Sequence, residues 1–252
     1  MMTSPPTLMQ WISEGPFTLA LSSSFFGFFA HCGVASAFYE KGALPSKITG
    51  SSAGALVGGA LASGIDPEAT RELLFRVKRE DFWDPRPGFG YLRGKKFLNV
   101  LEQSFVPEFT HTKIPFEAAA FDIFSFRTRF LREGQLPKAV VASCAVPLLF
   151  HPVRIGSKFY FDGGLFHKSG INPDSGEERV LCIFLQGDGI SDSYELGCSL
   201  NKLGKNQKVV RFKDLPRLDY NSLENGKSAY SEAYKRSKEA FKKKFSGSLL
   251  EA

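Results

Sequence analysis

The stretch from Lys47 to Gly64, KITGSSAGALVGGALASG, decides how the chain is interpreted. Its residues Gly50-Ser51-Ser52-Ala53-Gly54 fit the pattern G-x-S-x-G, which places Ser52 at the centre. Roughly 0.2 such matches are expected by chance in a chain of this composition, so the motif alone is weak and its context matters. A nucleophile elbow requires a short strand before the serine and a helix after it.

The residues around this motif have the required character. The run SKIT favours a short strand, and AGALVGGALASG predicts a helix of small and apolar residues that ends near Gly64. A helix so rich in glycine and alanine has low intrinsic propensity, so we expect it to be buried against a sheet. Its N-terminus would then face a developing negative charge. Two interpretations remain at this point: Ser52 is a nucleophile, or it is a structural serine in a buried turn.

Strand-like and helix-like segments alternate along the rest of the chain. We predict buried strands over Phe17 to Ser24 and Arg179 to Gly189, a strand ending at Asp162, and a helix over Phe28 to Gly42. A Pro/Gly-rich loop is predicted over residues 82–94. This alternation predicts an α/β fold with a largely parallel central sheet flanked by helices. The loops SSSFFG, GSSAG and DGG should then meet at the carboxyl edge of that sheet.

The chain has 252 residues, of which 43% are hydrophobic and 23% are charged, as in an ordinary globular protein. We divide it into an N-terminal extension (1–16), one domain (17–227), and a basic C-terminal helix and tail (228–252). The net charge is +6, and much of it lies between Ser228 and Phe245. Because zinc-finger spacing and RNA-binding runs are absent from the sequence, we do not expect nucleic acid as a partner.

The basic C-terminal segment admits two interpretations. It is either a helix packed on the domain with a solvated outer face, or a helix that docks on an anionic membrane surface. The docking hypothesis rests on two sets of residues. The apolar residues at helical spacing are Tyr230, Ala233, Tyr234, Ala240, Phe241 and Phe245, and the basic residues that supply charge are Lys235, Arg236, Lys238 and Lys242 to Lys244.

The remaining sequence features concern location and cofactors. The N-terminus has no basic region followed by an apolar run, and no segment approaches the ~20 apolar residues that span a bilayer. We therefore expect an intracellular, cytoplasmic protein that is at most peripheral at a membrane. The histidines and cysteines lack metal-ligand spacing, so we predict neither a metal nor another cofactor. We expect free, buried thiols at Cys32, Cys144, Cys182 and Cys198.

Several motifs in this order resemble the patatin-like phospholipase family, from about Phe17 to Leu185. They are LALS with AHCGV, then GSSAGALVGG, ASCAVPLLFHPV and YFDGG. The resemblance implies a serine acyl hydrolase that cleaves lipid esters through a Ser–Asp dyad without histidine. Ser52 matches the family's nucleophile, and Asp162 of Asp162-Gly163-Gly164 matches its base. The chemistry is coherent, because a serine hydroxyl becomes nucleophilic when a neighbouring base takes its proton.

A Ser-His-Asp triad is the main mechanistic alternative. The order Ser52, Asp162, His167 fits that of α/β-hydrolases. His167, however, lies five residues beyond Asp162, whereas a triad histidine usually comes from a separate loop. The other histidines are His31, within a predicted helix, and His111 and His151. We therefore prefer the dyad.

The first loop departs from the family pattern G-G-G-x-R-G. The corresponding positions, 23–28, read SSFFGF, in which Gly27 is the single glycine. Backbone N–H groups hold an oxyanion, so glycine is not chemically required. We predict that the N–H groups of Ser24 and Phe25 serve this purpose, helped by that of Ala53. The alternatives are a catalytically weak or inactive lipid-binding protein on the same scaffold, and a membrane-surface module led by the C-terminal helix.

Overall fold

The computed structural model describes residues 4–187, 200–201, 203–216, 218 and 225–252. Within these residues, strands and helices alternate along most of the chain, as predicted. The strands are β1 (Thr18–Leu21), β2 (Lys47–Ser51), β3 (Gly90–Leu92), β4 (Phe116–Asp122), β5 (Arg127–Leu131), β6 (Leu148–Phe150), β7 (Val153–Ile155), β8 (Lys158–Asp162), β9 (Val180–Leu185), β10 (Gln207–Phe212) and β11 (Leu249–Glu251). The helices are α1 (Leu8–Ser13), α2 (Phe28–Glu40), α3 (Ala53–Ala62), α4 (Pro67–Arg76), α5 (Arg79–Phe82), α6 (Lys95–Ser104), α7 (Leu136–Ser143) and α8 (Gly226–Ala240).

One mostly parallel sheet forms the centre of the fold, which confirms the predicted α/β class. Its strand order is β11-β10-β9-β1-β2-β4-β8-β7, and β5 also pairs with β4. The strands from β11 to β4 in this order are parallel, whereas β5 and β8 run antiparallel to β4. Strands β1, β4 and β9 are buried along their whole length. Such strands consist of small or apolar residues because helices cover both faces of a parallel sheet.

Helix α3 lies unusually close to this sheet. A Cβ atom added at Gly54 would be 2.2 Å from the carbonyl oxygen of Leu21 in β1, and one added at Gly50 would be 2.5 Å from the carbonyl oxygen of Gly54. No side chain fits at these positions, so the glycines of the G-x-S-x-G motif are needed for the close approach. The burial of α3 that its composition predicted is therefore present.

The two ends of the chain pack into the same core as the sheet. Leu8 and Trp11 of α1 are buried, and the Leu8 N–H donates to the carbonyl oxygen of Lys243. Helix α8 packs on α2 so closely that a Cβ at Gly33 would be 2.3 Å from the Tyr230 carbonyl oxygen. Residues 8–13 and 226–251 therefore contribute to a single domain.

The apolar stripe of the C-terminal segment faces this core. Phe241 and Phe245 are 4% and 2% exposed, and Ala233 and Ala240 are equally buried. On the outer side, Lys238 pairs with Glu40 at 2.9 Å. The phenylalanine and alanine side chains of this stripe therefore form part of the protein interior, whereas contact of the basic helix with an anionic membrane stays a prediction. The helix also ends at Ala240 rather than at Phe245.

Other differences from the predicted elements come from long-range pairing. The predicted loop over residues 82–94 contains β3, which pairs with the distant strand β6. The first strand ends at Leu21, where the Ser22 N–H donates to Ile183 before the chain leaves the sheet. The predicted strand end at Gly189 and the thiol of Cys198 lie outside the described residues. Among the helices described, none is long and apolar enough to cross a bilayer.

Candidate active site

Ser52 occupies a sharp turn between β2 and α3. Its backbone has φ 52° and ψ −116°, a conformation that costs a non-glycine residue about 1–3 kcal/mol. Two contacts from the end of α7 hold the turn: the Ser52 N–H donates to Ser143 Oγ at 2.9 Å, and Cys144 Sγ donates to the Ser52 carbonyl oxygen at 3.2 Å. This strand–turn–helix geometry is that of a nucleophile elbow, which presents the hydroxyl at the edge of the sheet.

Asp162 lies beside this hydroxyl because of the sheet register. It ends β8 opposite Ala120 of β4, and the neighbouring Ala119 pairs with Ser51 of β2. Ser52 Oγ donates a hydrogen bond of 2.6 Å to Asp162 Oδ2. The other carboxylate oxygen, Oδ1, accepts the Gly164 N–H at 2.7 Å. The two residues that sequence analysis paired are therefore in direct contact, although 110 residues separate them.

The two glycines after Asp162 are required for the same steric reason as the glycines of the elbow. A Cβ at Gly163 would lie 2.1 Å from the Ala119 carbonyl oxygen, and one at Gly164 would lie 2.0 Å from Ser23 Oγ. Larger residues would push β8 away from β4 or from the first loop. The Asp-Gly-Gly sequence thus allows the carboxylate to approach the elbow closely.

Burial perturbs the acidity of Asp162. The residue is 5% exposed, and loss of hydration raises its pKa to about 6, although the hydrogen bonds from Ser52 and Gly164 lower it. A carboxylate of this kind is a stronger base than one in water. Such a shift, together with a hydroxyl in contact, is typical of functional sites.

The raised pKa of Asp162 predicts a specific dependence of stability on pH. An unfolded aspartate has a pKa near ~3.9, so the folded state binds the proton more tightly. The resulting contribution to stability is full below pH ~3.9 and disappears as the pH rises through about 6. Between pH 8 and pH 5, the free energy of unfolding of the wild type should gain about 1 kcal/mol more than that of Asp162→Asn. Urea unfolding at both pH values measures this difference, and equal changes in the two proteins would contradict it.

Three histidines, His31, His151 and His167, hydrogen-bond to backbone carbonyl groups. The ring of His31 is fully buried, donates through Nε2 to the Ser22 oxygen at 2.7 Å, and has its pKa lowered to about 4 by burial. Nε2 of His151 donates to Arg86, and Nε2 of His167 donates to Ile171, at 2.9 and 2.6 Å. Ser52 Oγ contacts the Asp162 carboxylate directly, without a histidine ring between them. This arrangement favours the dyad over the triad.

The first loop, between β1 and α2, forms a tight turn above Ser52. The Gly27 N–H donates to the Ser24 carbonyl oxygen at 3.0 Å, and Phe26 adopts a positive φ of 52°. Ser24, Phe25 and Ser52 line the same cavity. The Ser23 N–H donates to the Lys168 carbonyl oxygen, so it is already used. Ala53 is the first residue of α3, and its N–H therefore has no acceptor within the helix. The use of the Ser24 and Phe25 N–H groups as oxyanion donors stays a prediction.

An apolar cavity of about 200 Å³ extends from Ser52 into the protein. Ser52, Leu56 and Ala60 follow one another at four-residue spacing along α3, so this wall runs for about 12 Å. Sequence analysis did not identify this wall, although the spacing of these three residues was a visible signal. Its opposite wall comes from distant segments and includes Leu74, Val77, Phe82, Phe97, Leu101, Phe105, Val146 and Phe150.

A second and more polar cavity lies on the other side of the first loop. Its volume is about 640 Å³, and its lining includes Ser23, Asp162, Gly164 and Lys168 together with Ser52. Ser52 is therefore situated between an apolar cavity and a polar one. Among the described residues, histidine, cysteine and acidic side chains form no group that could hold a metal ion.

The fold and the elbow define the class of this protein, an α/β protein with a serine on a strand–turn–helix motif beside a buried aspartate. Comparison with known families is more specific. The family model described as patatin-like phospholipase matches residues 19–173. The chain belongs to the patatin-like phospholipase family.

Individual proteins are similar to this chain in sequence or in fold. Uncharacterised NTE family proteins of Mycobacterium tuberculosis and Mycobacterium bovis are 30% identical over 198 residues, which is 75% of this chain and 54% of theirs. The chain thus spans about half the length of these relatives. VipD from Legionella pneumophila has a similar fold, with a TM-score of 0.59 at 13% identity over 90% of this chain and 66% of VipD. The type III effector protein ExoU aligns with a TM-score of 0.49 at 16% identity over 94% of this chain and 53% of ExoU.

Proposed function

We propose that this protein is a serine acyl hydrolase that cleaves carboxylic esters of lipids, with Ser52 as nucleophile and Asp162 as general base. The observation that carries this proposal is the 2.6 Å hydrogen bond from Ser52 Oγ to Asp162 Oδ2, formed where Ser52 lines an apolar cavity. Apolar walls suit an acyl chain, because each methylene removed from water contributes about 0.8 kcal/mol to binding.

The reaction divides into two acyl transfers. Ser52 Oγ attacks the ester carbonyl carbon while Asp162 takes the hydroxyl proton, and the carbonyl oxygen becomes an oxyanion. As this intermediate collapses, the C–O bond to the alcohol breaks, and the leaving oxygen receives the proton from Asp162. Water then attacks the acyl-serine with Asp162 again as base, which releases the fatty acid and restores the Ser52 hydroxyl.

The two cavities suggest how the ester is oriented. The acyl chain would occupy the apolar cavity along α3, whereas the alcohol portion would lie in the polar cavity beside Lys168. An ammonium group there suits an alcohol portion that carries negative charge, such as a phosphate ester. Phospholipids are therefore the first substrates to test.

A fluorophosphonate probe tests the nucleophile directly. We expect it to label the wild type and not Ser52→Ala, since the probe reacts only with an activated serine hydroxyl. The matched control is Ser51→Ala, which removes the adjacent serine of the same motif and should keep the labelling. Unchanged labelling of Ser52→Ala, located by mass spectrometry on another residue, would contradict the proposal.

The first loop provides a second prediction. Phe25 is the second residue of the turn from Ser24 to Gly27. Proline is common at the second position of such turns, so we expect the loop to accept it. Phe25→Pro removes the N–H of residue 25, and loss of one oxyanion donor costs about 10²–10³ in kcat. Phe25→Ala keeps this N–H and serves as the control for the lost ring. Equal kcat values for the two variants would show that the Phe25 N–H is not a donor.

The second candidate function is an inactive lipid-binding protein on the same scaffold. The observation that favours it is the conformation of the first loop. Phe26 has a positive φ, and the Ser23 N–H already donates to the Lys168 carbonyl oxygen, so that N–H does not serve an oxyanion. A protein of this kind would bind a fluorescent fatty acid in the apolar cavity and resist the fluorophosphonate probe. The labelling experiment therefore separates the two candidates.

A further inference from the structure

Six large apolar side chains protrude from loops around the opening of the site. Each is between 57% and 85% exposed, and together we call them the apolar rim. Monomeric proteins rarely display so many large apolar side chains in one region unless it binds something. The rim consists of Phe25, Phe89, Phe124, Phe126, Leu148 and Phe166.

The topology places these residues at one edge of the sheet. Phe25 follows β1, Ser52 follows β2, and the hairpin with Phe124 and Phe126 follows β4, so all lie beyond the carboxyl ends of parallel strands. The Phe126 ring contacts Phe121 at the end of β4, with ring centroids 5.8 Å apart. Phe121 also contacts Phe166, at 4.8 Å. The hairpin is thus continuous with the segment that follows Asp162.

The other two rim residues belong to the β3–β6 ribbon. Leu148 pairs with Gly90, the neighbour of Phe89. Leu148 also lies between Pro147 and Leu149, which line the polar and the apolar cavity. The ribbon therefore borders both cavities.

Two rim residues have a backbone conformation that argues against a stabilising role. Phe126 and Leu148 have φ values of 51° and 68°. Glycine or asparagine adopts this conformation at lower cost. The side chains are also 77% and 85% exposed, so they gain little from packing.

The charges of the same loops are strongly asymmetric. Residues 84–96 carry four Lys and Arg side chains with Asp84 as the one carboxylate, and residues 122–132 carry three arginines with Asp122 as the one carboxylate. Both carboxylates are buried. Asp84 accepts the N–H groups at the start of α6, and Asp122 accepts those of Phe124 and Ser125 and pairs with Lys158. The exposed charges around the rim are therefore predominantly positive.

We propose that the apolar rim is the surface through which this protein docks on an anionic lipid bilayer, with the opening of the site facing the lipid. Exposed phenylalanine and leucine side chains insert between the acyl chains, and the surrounding arginines and lysines contact the negative headgroups. Docking in this orientation allows an ester to enter the apolar cavity without crossing water. The orientation rests on the proposed function, whereas binding itself does not.

Vesicle co-sedimentation tests the proposal in a Ser52→Ala background, where no hydrolysis can change the lipid. We expect binding to vesicles of phosphatidylcholine with phosphatidylglycerol, weaker binding to phosphatidylcholine alone, and a decrease with salt. Phe124→Asp with Phe126→Asp should lower the partition coefficient at least about tenfold, because two apolar side chains leave the lipid. The matched control is Leu44→Asp, since Leu44 is 58% exposed but precedes β2 at the opposite edge. Thermal unfolding checks that both variants fold.

Several results would overturn the docking surface. They are equal binding of the hairpin variant and the parent, an equal loss in Leu44→Asp, equal binding to neutral and anionic vesicles, or a dimer that the hairpin substitutions dissociate. A failure of the proposed function looks different. The wild type would then cleave no lipid ester, while vesicle binding would still depend on Phe124 and Phe126.

Discussion

Ser52→Ala should abolish the proposed ester hydrolysis, with a loss of kcat of about 10⁴–10⁶, the size of loss that serine hydrolases show without their nucleophile. Asp162→Asn should lose about 10²–10⁴, because an amide cannot take the hydroxyl proton. The physical basis is the direct 2.6 Å contact between Ser52 Oγ and Asp162 Oδ2. Steady-state kinetics with a phospholipid and with a short-chain nitrophenyl ester measure both losses.

The histidines are the controls for this result. His151→Ala and His167→Ala should keep most of the activity, because Nε2 of each ring is bound to a backbone carbonyl group. If either histidine variant loses as much activity as Asp162→Asn while its circular dichroism is unchanged, the mechanism uses a triad and not a dyad. His31 is unsuitable as a control, since its buried ring donates to Ser22 and its removal would disturb the core.

Ala60→Phe should shift the proposed hydrolase activity toward short acyl chains. Ala60 lines the apolar cavity about 12 Å along α3 from Ser52. A phenyl ring there displaces roughly four methylenes of a long chain, at about 0.8 kcal/mol each. The kcat/KM for long-chain esters should therefore fall by about 10²-fold, whereas that for a butyrate ester, whose chain ends before Ala60, should change little. A series of nitrophenyl esters of increasing chain length measures the crossover.

Thermal unfolding provides the control for this substitution. Overpacking of a filled core costs about 1–3 kcal/mol, whereas a ring that enters an existing cavity costs much less. Unchanged stability together with unchanged long-chain kcat/KM would show that the acyl chain binds elsewhere.

The sequence by itself determined the features that depend on neighbouring residues. The strand–turn–helix around Ser52 is visible because its signals lie close together, within residues 46–64: SKIT before the motif, and small apolar residues up to Gly64 after it. The alternation of strands and helices likewise predicted the α/β class. The resemblance added Asp162, whose Asp-Gly-Gly context alone would equally describe a turn.

The tertiary structure decided the features that form only when segments distant in sequence come into contact. The register of β8 against β4 brings Asp162 to Ser52, and burial there raises the pKa of its carboxyl to about 6. The apolar cavity needs α3, α4, α6 and β6 at once, so the residue spacing along α3 indicates one wall but not the cavity that the other elements enclose. The apolar stripe of the C-terminal segment has the same periodicity whether it binds lipid or protein. Helical periodicity shows that a helix has an apolar face, but it does not show what covers that face. The close packing of α8 on Gly33 of α2 shows that the rest of the protein covers it here.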